Sequence, residues 1–343
     1  MRPADRPSAA RDQRLVADGR LTRDAQPPSS ENALVADEVM PSLFTVVIGA
    51  IPSSVWRSVG VEPADVRGVD VIDFGDGTGA ASGQVQVTTA KLADSSSTRV
   101  VRKTFSQLAT GPHAAGSLQR DHWAHRGREL TAYRSGILPT AADLRAPRLL
   151  GVVDDILYLE YVGDQQPTAA QAAVGLGRWH YTDHTAEHAE DHPWLARHQL
   201  AQRLAVSDLD WSTVDLDARL REIWQRRSAY LSDLKALPWS ITHGDFSTGN
   251  LRLHGGDLIA LDWATLGVSP VGFDIAHLAL ATLDNSLVED YLHELQGRYE
   301  ADAVHFGYRI TVALVGASRA HWMASRSIPL PPGYLDFILT CAT

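Results

Sequence analysis

Cysteine is almost absent from this chain of 343 residues, whose single cysteine, Cys341, lies near its C-terminal end. One cysteine excludes a disulfide within the chain, and this favours a reducing compartment. No apolar run approaches the roughly 20 residues that a membrane-spanning helix needs. The N-terminal residues also lack the apolar core of a secretory signal. We therefore expect a cytoplasmic protein without a membrane partner.

Basic residues are also in short supply, because 31 Lys and Arg face 41 Asp and Glu, for a formal net charge of −10. A general nucleic-acid binder needs a basic surface that neutralises phosphates, so we expect no nucleic-acid partner. The acidic balance is compatible with cationic substrates, although an acidic, soluble surface is the simpler interpretation.

The chain changes character along its length. Residues 1–40 are polar and without sustained periodicity, which predicts a disordered tail. Short β-like runs over 69–74, 84–90 and 99–105 alternate with Gly and Ser clusters and predict an antiparallel sheet, which a helix over 121–135 follows. Two further apolar runs, 148–153 and 156–162, flank Asp154-Asp155 and predict a hairpin.

From residue 168 onward the periodicity becomes helical, with predicted helices over 169–185, 214–234 and 286–299. The boundary falls near Gly163 to Pro167, where Gly, polar residues and Pro interrupt both patterns. We therefore expect an α+β fold with a small β-rich N-terminal lobe over 41–163 and a larger, mainly helical C-terminal lobe over 164–343.

The most informative segment begins with Ile-Thr-His-Gly-Asp-Phe-Ser-Thr-Gly-Asn and ends with Asp274. Mg²⁺ prefers oxygen ligands and is held by one or two carboxylates plus substrate phosphates, which makes Asn250 and Asp262 a candidate metal pair. Phosphoryl transfer also needs a carboxylate that orients the attacking hydroxyl and accepts its proton, and Asp245 is the candidate. Asp245 and Asn250 share one loop, and a short apolar strand delivers Asp262 beside it. Each residue alone is typical of a turn or a helix cap, so the assignment depends on their combination.

These residues resemble the catalytic core of the aminoglycoside phosphotransferase and choline-kinase-like family, which has the bilobal protein-kinase-like fold. The family motif His-Gly-Asp-x-x-x-x-Asn is matched by His243, Gly244, Asp245 and Asn250, and its Ile-Asp-Trp motif by Leu261, Asp262 and Trp263. The resemblance implies that Asp245 is the catalytic base and that Asn250 and Asp262 bind Mg²⁺. It gives Asp274 a supporting role for the loop. We interpret His243 as a residue that hydrogen-bonds the backbone rather than one that transfers a proton.

The resemblance extends to the N-terminal lobe. Lys103 on a strand would reach the α- and β-phosphates of ATP, and Glu129 on the following helix would pair with it. The run ending at Val162 resembles the kinase hinge, where backbone groups of Glu160 and Val162 would contact adenine; an ordinary buried strand is the alternative.

A glycine-rich segment containing Gly77 and Gly79 would let backbone amides approach the phosphates, since glycine permits close contact. It does not match Gly-x-Gly-x-x-Gly, and a simple hairpin turn is nearly as good an interpretation.

Three histidines, His180, His184 and His188, recur every four residues. They would be metal ligands if they lined one helix face, but we favour a solvated helix face.

The sequence thus predicts an ATP- and Mg²⁺-dependent kinase that phosphorylates a hydroxyl of a small molecule. An aminoglycoside-like or other cationic antibiotic is the leading acceptor, because acidic residues follow the catalytic segment: Asp284, Glu289, Asp290 and Glu294. These acids would equally be the polar face of an exposed helix. The alternatives are a metabolic or natural-product kinase for choline, sugars, amino-acid derivatives or macrolides, and a nucleotide-binding regulatory pseudokinase. The motifs do not specify the oligomeric state.

Overall fold

A computed structural model of the protein describes residues 51–74, 83–106, 108, 110–207 and 209–342. The expected disordered tail over 1–40 and the glycine-rich segment with Gly77 and Gly79 lie outside the described residues.

The described residues form strands and helices that we number in chain order. The strands are β1 (Val66–Phe74), β2 (Val85–Leu92), β3 (Ser97–Lys103), β4 (Thr140–Ala141), β5 (Leu144–Arg145), β6 (Leu149–Val153), β7 (Ile156–Glu160), β8 (Ala196–Arg197), β9 (Trp239–Thr242), β10 (Leu251–His254), β11 (Asp257–Ala260) and β12 (Gly267–Pro270). The helices are α1 (Ser53–Ser58), α2 (Arg128–Ser135), α3 (Ala169–Thr182), α4 (Gln199–Ala205), α5 (Ala218–Gln225), α6 (Arg227–Lys235), α7 (Phe273–Thr282), α8 (Leu287–Leu295), α9 (Ala301–Ala324) and α10 (Tyr334–Ala342).

The N-terminal part contains an antiparallel sheet with the strand order β1-β2-β3-β7-β6. The predicted β6–β7 hairpin is confirmed, because Val153 pairs with Ile156 across the two-residue turn. Asp154 and Asp155 both have positive φ, 49° and 60°. Short polar side chains tolerate this region, and two such residues give the turn whose twist matches the flanking strands. The hairpin carries β7 to the cleft described below.

Helix α2 covers one face of this sheet, where Leu130 packs with Leu157 and Leu159 of β7. The helix begins at Arg128, so the predicted start at residue 121 is wrong. The preceding residues form turns, in which the carbonyls of Arg120, His122 and Trp123 accept hydrogen bonds from the Arg128 guanidinium.

The C-terminal part is mainly helical, as expected. Helix α3 begins at a capping box, in which the Thr168 hydroxyl accepts from the Gln171 N–H and the Gln171 side chain accepts from the Thr168 N–H. Helix α3 packs on α8, and α9 packs on α7 and α10 around one large apolar core. The predicted helix over 214–234 is two helices, α5 and α6, which meet at Arg226. The predicted helix over 286–299 ends earlier, at Leu295.

Two small sheets in this part carry the segment from Ile241 to Asp274. One has the order β8-β12-β9, and the other has the order β10-β11-β5-β4. Strand β9 leads into the His-Gly-Asp loop, and β11 leads into Asp262. Within the described ranges, no helix is long and apolar enough to cross a membrane.

The expected solvated histidine face is wrong for His180. Helix α3 ends at Thr182, so His184 and His188 lie beyond it. His180 is buried, and its Nδ1 lies 2.8 Å from the hydroxyl of Tyr291. His184 is exposed and pairs with Glu187. In the part of the chain that the structure describes, no group of three or more His, Cys, Asp or Glu residues is arranged to hold a metal ion.

Candidate active site

The backbone of the His-Gly-Asp loop is held by Asp274, which lies in the first turn of α7. Its buried carboxylate accepts hydrogen bonds from the His243 N–H at 2.6 Å and from the Gly244 N–H at 3.0 Å. Burial raises the pKa of Asp274 to about 7, against the two N–H donors, which favour the ionised form. Two backbone donors on one carboxylate fix the path of the chain immediately before Asp245.

Gly244 lies where the loop passes closest to its neighbours. Its φ is +86°, and a Cβ placed there would lie 2.5 Å from the Thr265 carbonyl oxygen. The Gly244 carbonyl accepts a hydrogen bond of 3.0 Å from Gln199 Nε2, on α4. Only glycine fits this backbone conformation and this space without strain.

His243 bonds the backbone through both ring nitrogens. Its Nε2 donates to the Leu261 carbonyl at 2.7 Å, and its Nδ1 accepts from the Asp245 N–H at 3.3 Å. Burial lowers the pKa of His243, which keeps the ring neutral in this tautomer. The ring therefore links the catalytic loop to the strand end that precedes Asp262.

Asp245 and Asn250 are adjacent in space. The Asn250 Nδ2 donates to the Asp245 carbonyl at 2.9 Å and to its Oδ2 at 3.1 Å. A cation would use the other amide atom of Asn250, the oxygen Oδ1. The Asp245 side chain is 44% exposed, so its carboxylate is open to an incoming molecule.

Asp262 follows β11 in a left-handed conformation, with φ 60° and ψ 68°. The Leu261 N–H donates to the Asn250 carbonyl at 2.8 Å, which brings the two candidate metal ligands to one place. A non-glycine residue in this region of φ and ψ is uncommon and is found preferentially at functional sites.

Lys103 bridges the two halves of the site. Its Nζ lies 2.5 Å from Glu129 Oε2 on α2 and 2.7 Å from Asp262 Oδ1. Burial would lower the pKa of Lys103, but the attraction of both carboxylates outweighs it and raises the pKa above its usual value. Burial raises the pKa of Glu129. For Asp262, burial opposes the charge, but Lys103 lowers the pKa overall. One ammonium between two carboxylates leaves a net negative charge, which suits a divalent cation.

The cleft beside Lys103 has an apolar part and a polar part. Val85, Val87, Val101, Leu159 and Leu261 provide the apolar walls, and Asn250 and Asp262 line the polar part. These walls fit a flat base, and the oxygen ligands with Lys103 fit a metal ion and phosphates.

The two predicted hinge residues also line this cleft. The Glu160 carboxylate is bound to the Arg145 side chain and accepts from the Arg148 N–H at 2.7 Å. The Val162 carbonyl lies 3.1 Å from His254 Nδ1.

Sequence reasoning missed the arginines of this region. Arg128 is fully buried, and its guanidinium uses all five N–H groups on carbonyls, those of Arg120, His122, Trp123, Trp194 and Ala264. Arg203 and Arg319 lie close to Asp245. For Arg128, the only sequence signal was its position next to Glu129 at a helix start. No sequence signal marked Arg203 or Arg319.

Three of the four acidic residues expected near the acceptor have other contacts. The Glu294 carboxylate pairs with Arg178 at 2.9 Å, and Asp284 Oδ1 accepts from the Ser286 N–H at 2.9 Å. Glu289 lies 3.5 Å from His305. Among the described residues, the Asp290 side chain forms no hydrogen bond or ion pair, and none of the four forms such a contact with the His-Gly-Asp loop.

Comparison with known families gives one match. The model of the phosphotransferase enzyme family, APH, matches residues 118–309, which include the catalytic segment and Glu129 but not Lys103 or Arg319. A search of curated proteins finds no match.

Solved structures resemble the chain over most of its length. A choline kinase from Cryptosporidium parvum Iowa II has a TM-score of 0.53 at 11% identity, over 88% of this chain and 93% of that one. The macrolide 2'-phosphotransferase MphH from Brachybacterium faecium has a TM-score of 0.47 at 13% identity, over 87% and 98% of the two chains. A thermostable mutant of aminoglycoside phosphotransferase APH(4)-Ia has a TM-score of 0.46 at 13% identity, over 85% and 96%. The first likeness confirms the expected bilobal, kinase-like fold.

Proposed function

Because the chain belongs to the phosphotransferase enzyme family, we propose that it transfers the γ-phosphate of ATP to a hydroxyl group of a small molecule. The observation that carries the proposal is the meeting of Lys103, Asp245 and Asp262, which come from three separate parts of the chain. Lys103 of the N-terminal lobe pairs with Glu129 of the same lobe and with Asp262 of the C-terminal lobe.

Each of these residues has a separate role in phosphoryl transfer. Lys103, held by Glu129, binds the α- and β-phosphates. Asn250 and Asp262 hold Mg²⁺, which when bound neutralises charge on the phosphates. Asp245 orients the acceptor hydroxyl and takes its proton as the oxygen attacks the γ-phosphorus and ADP leaves.

Two further parts of the chain bind the nucleotide and position the loop. Backbone groups of Glu160 and Val162 contact the adenine. His243 and Asp274 keep the loop in place through the hydrogen bonds described above. In this proposal residues 41–163 form the nucleotide-binding lobe and 164–343 the acceptor-binding lobe.

An aminoglycoside-like or other cationic acceptor remains a prediction from the resemblance. A metabolic or natural-product kinase uses the same residues in the same roles, so the acceptor must be identified by screening. The complete set of Lys103, Asp245, Asn250 and Asp262 favours an active enzyme over a pseudokinase.

The experiment measures acceptor-dependent ADP release in the presence of Mg-ATP. The acceptors are aminoglycosides, peptide antibiotics, macrolides, choline, sugars and hydroxy acids. Asp245→Asn should lower turnover about a hundredfold or more and leave Mg-ATP affinity nearly unchanged, because the residue acts on the acceptor. Asp262→Ala should abolish transfer and weaken Mg²⁺-dependent nucleotide binding in calorimetry.

A matched control is Asp302→Asn, which removes an exposed carboxylate in the first turn of α9 and should behave as the wild type. Wild-type turnover in the Asp245 variant would remove this residue from the mechanism. Unchanged Mg²⁺ dependence in the Asp262 variant would refute the metal assignment.

A further inference from the structure

We infer that Arg203 and Arg319 form a binding site for an anionic group on the acceptor, a carboxylate or a phosphate, next to Asp245. The inference rests on the proposed function, because it takes Asp245 as the residue that meets the acceptor hydroxyl. It favours an anionic acceptor over the cationic one expected from the sequence.

Arg203 is placed by the helix that supports the catalytic loop. Gln199 and Arg203 are four residues apart on α4, so their side chains share one face of the helix. That face is turned to the loop, because Gln199 Nε2 donates to the Gly244 carbonyl. The guanidinium of Arg203 stacks on the Trp123 ring, with Cζ 4.2 Å from the ring centroid. The stacking fixes the plane of the guanidinium.

Arg319 reaches the same place from α9. Its Nη2 lies 3.3 Å from Nδ1 of His277, a ring that is fully buried. The same Nδ1 lies 3.8 Å from Asp245 Oδ1. Burial, together with Arg319 and Arg203, holds the pKa of His277 well below its usual range, so the ring is neutral and its Nδ1 accepts from Arg319. Arg319 and the candidate base therefore approach the same nitrogen of one imidazole ring.

The two arginines lack the partner that such groups normally have. Among the described residues, neither forms an ion pair with a carboxylate, and the buried Nε of Arg203 has no hydrogen-bond partner. Burial lowers the pKa of Arg203 to about 10, and Asp245 opposes this only in part. A desolvated, unpaired guanidinium costs stability, and this is offset when an anion binds.

The charge around the site supports the same conclusion. The protein as a whole carries −10, yet two arginines, Arg203 and Arg319, lie close to Asp245, together with the buried Asp274 carboxylate that supports the loop. Two of the acidic residues that would attract a cation are engaged elsewhere, Glu294 with Arg178 and Asp284 with Ser286. A planar guanidinium binds carboxylate and phosphate oxygens in pairs, so an acceptor with its anion a few bonds from the hydroxyl would meet Asp245 and both arginines together.

The test compares anionic acceptors with neutral counterparts. Gluconate is paired with glucose, glycerate with its methyl ester, and glycerol 3-phosphate with glycerol; choline and an aminoglycoside represent cations. Binding to the protein is measured by calorimetry without nucleotide, and ADP release is measured separately with Mg-ATP. We expect at least one anionic member to bind tenfold or more tightly than its neutral partner, because charge-assisted hydrogen bonds to it are the stronger ones. The carboxylate and phosphate pairs show which anion is preferred.

The variants are Arg203→Gln, Arg203→Lys and Arg319→Gln, with Arg309→Gln as the matched control. Arg309 lies on α9 like Arg319 but is exposed, so its removal changes the net charge equally. Arg203→Gln and Arg319→Gln should each weaken anion binding about tenfold or more, and Arg203→Lys should lie between, since it keeps the charge but loses the planar fork. Arg309→Gln should bind as the wild type. Mg-ATP binding shows whether each variant is folded. If Arg203→Gln does not fold, Arg319→Gln still tests the inference.

The results separate the inference from the proposed function. Anion binding that depends on both arginines supports the inference even if no ADP is released, and that second result would count against the proposed function alone. ADP release with neutral or cationic acceptors only, or anion binding that both arginine variants retain, would overturn the inference and leave the phosphotransferase assignment intact. Loss of Mg-ATP binding but not of anion binding in the variants would show that the arginines serve the nucleotide, and would overturn it too.

Discussion

Lys103 contacts both lobes, because it is buried between Glu129 and Asp262. An ion pair at this depth is strengthened by the low local dielectric, while each of its members becomes costly when left alone. Lys103 and Glu129 should therefore act as a unit, in which each residue stabilises the site only while the other is present.

Substitutions at Lys103 and Glu129 should be strongly coupled. Lys103→Met leaves two carboxylates without their cation and should lower the free energy of unfolding by about 3–5 kcal/mol. Lys103→Met with Glu129→Gln should cost less than the sum of the two single changes, by about 1–3 kcal/mol. Urea unfolding of the four proteins measures the coupling. The exposed pair Lys91–Asp70, at 2.9 Å, is the control and should show almost none; equal coupling in both pairs would contradict the prediction.

Asp274 should make stability depend on pH. The unfolded chain releases this proton near pH 3.9, whereas the folded protein holds it until about pH 7. Between these values the folded state binds more protons, so stability falls as pH rises, by up to about 4 kcal/mol over the window. Asp274→Asn does not titrate. The free energy of unfolding of the wild type minus that of the variant should therefore fall as pH rises from about 4 to 7. A difference that stays constant or grows in urea unfolding would show that the folded pKa is not raised.

At the scale of elements, the His-Gly-Asp loop is a short connection held by three supports. Asp274 binds two of its N–H groups, Gln199 binds a carbonyl, and the Thr265 hydroxyl donates to the His243 carbonyl at 2.9 Å. The backbone at Gly244 can follow this path because it has no side chain.

Gly244→Ala should therefore damage both stability and turnover. The new Cβ meets Thr265 at a φ of +86°, whereas Gly255→Ala, at φ +62° in the β10–β11 hairpin, meets nothing within 4 Å. Both variants pay about 1 kcal/mol for the left-handed conformation, and crowding adds about 1–3 kcal/mol at Gly244 alone. Thermal or urea unfolding compares them, and ADP release should fall only for Gly244→Ala, because Asp245 is displaced. Similar stability losses in Gly244→Ala and Gly255→Ala would mean that the loop shifts to accommodate the methyl group at position 244.

At the scale of the whole molecule, Arg128 connects segments that are far apart in the chain. Its carbonyl partners lie before α2, at Trp194, and at Ala264, two residues after Asp262. Arg128→Lys should lower the free energy of unfolding by about 3 kcal/mol or more, since an ammonium has three donors and cannot reach five carbonyls. Hydrogen exchange should also speed up over residues 120–127. Arg134→Lys on the exposed side of α2 is the control and should change stability by less than about 0.5 kcal/mol; an equal loss there would refute the role of the carbonyls.

The sequence predicted what depends on local signals. The Asp154-Asp155 turn, the strands around it and the catalytic loop each have their own pattern of residues, and the kinase-like fold followed from the resemblance. The Arg128 contacts had no such pattern, because carbonyl groups carry no side-chain signature and come from three distant segments. The same holds for Arg203, whose position depends on how α4 packs against the loop, and for His180, which tertiary packing buries despite its regular spacing.

The five carbonyls around Arg128 also bear on how this protein is controlled. In protein kinases, activity is switched by moving the helix that carries the glutamate partner of the active-site lysine. Here Arg128, next to Glu129 on that helix, is bonded to the carbonyls of Trp194 and Ala264, so a movement of the helix away from Asp262 would break two hydrogen bonds of the buried guanidinium. We therefore expect the contact between Lys103 and Glu129 to be kept whether or not nucleotide and acceptor are bound.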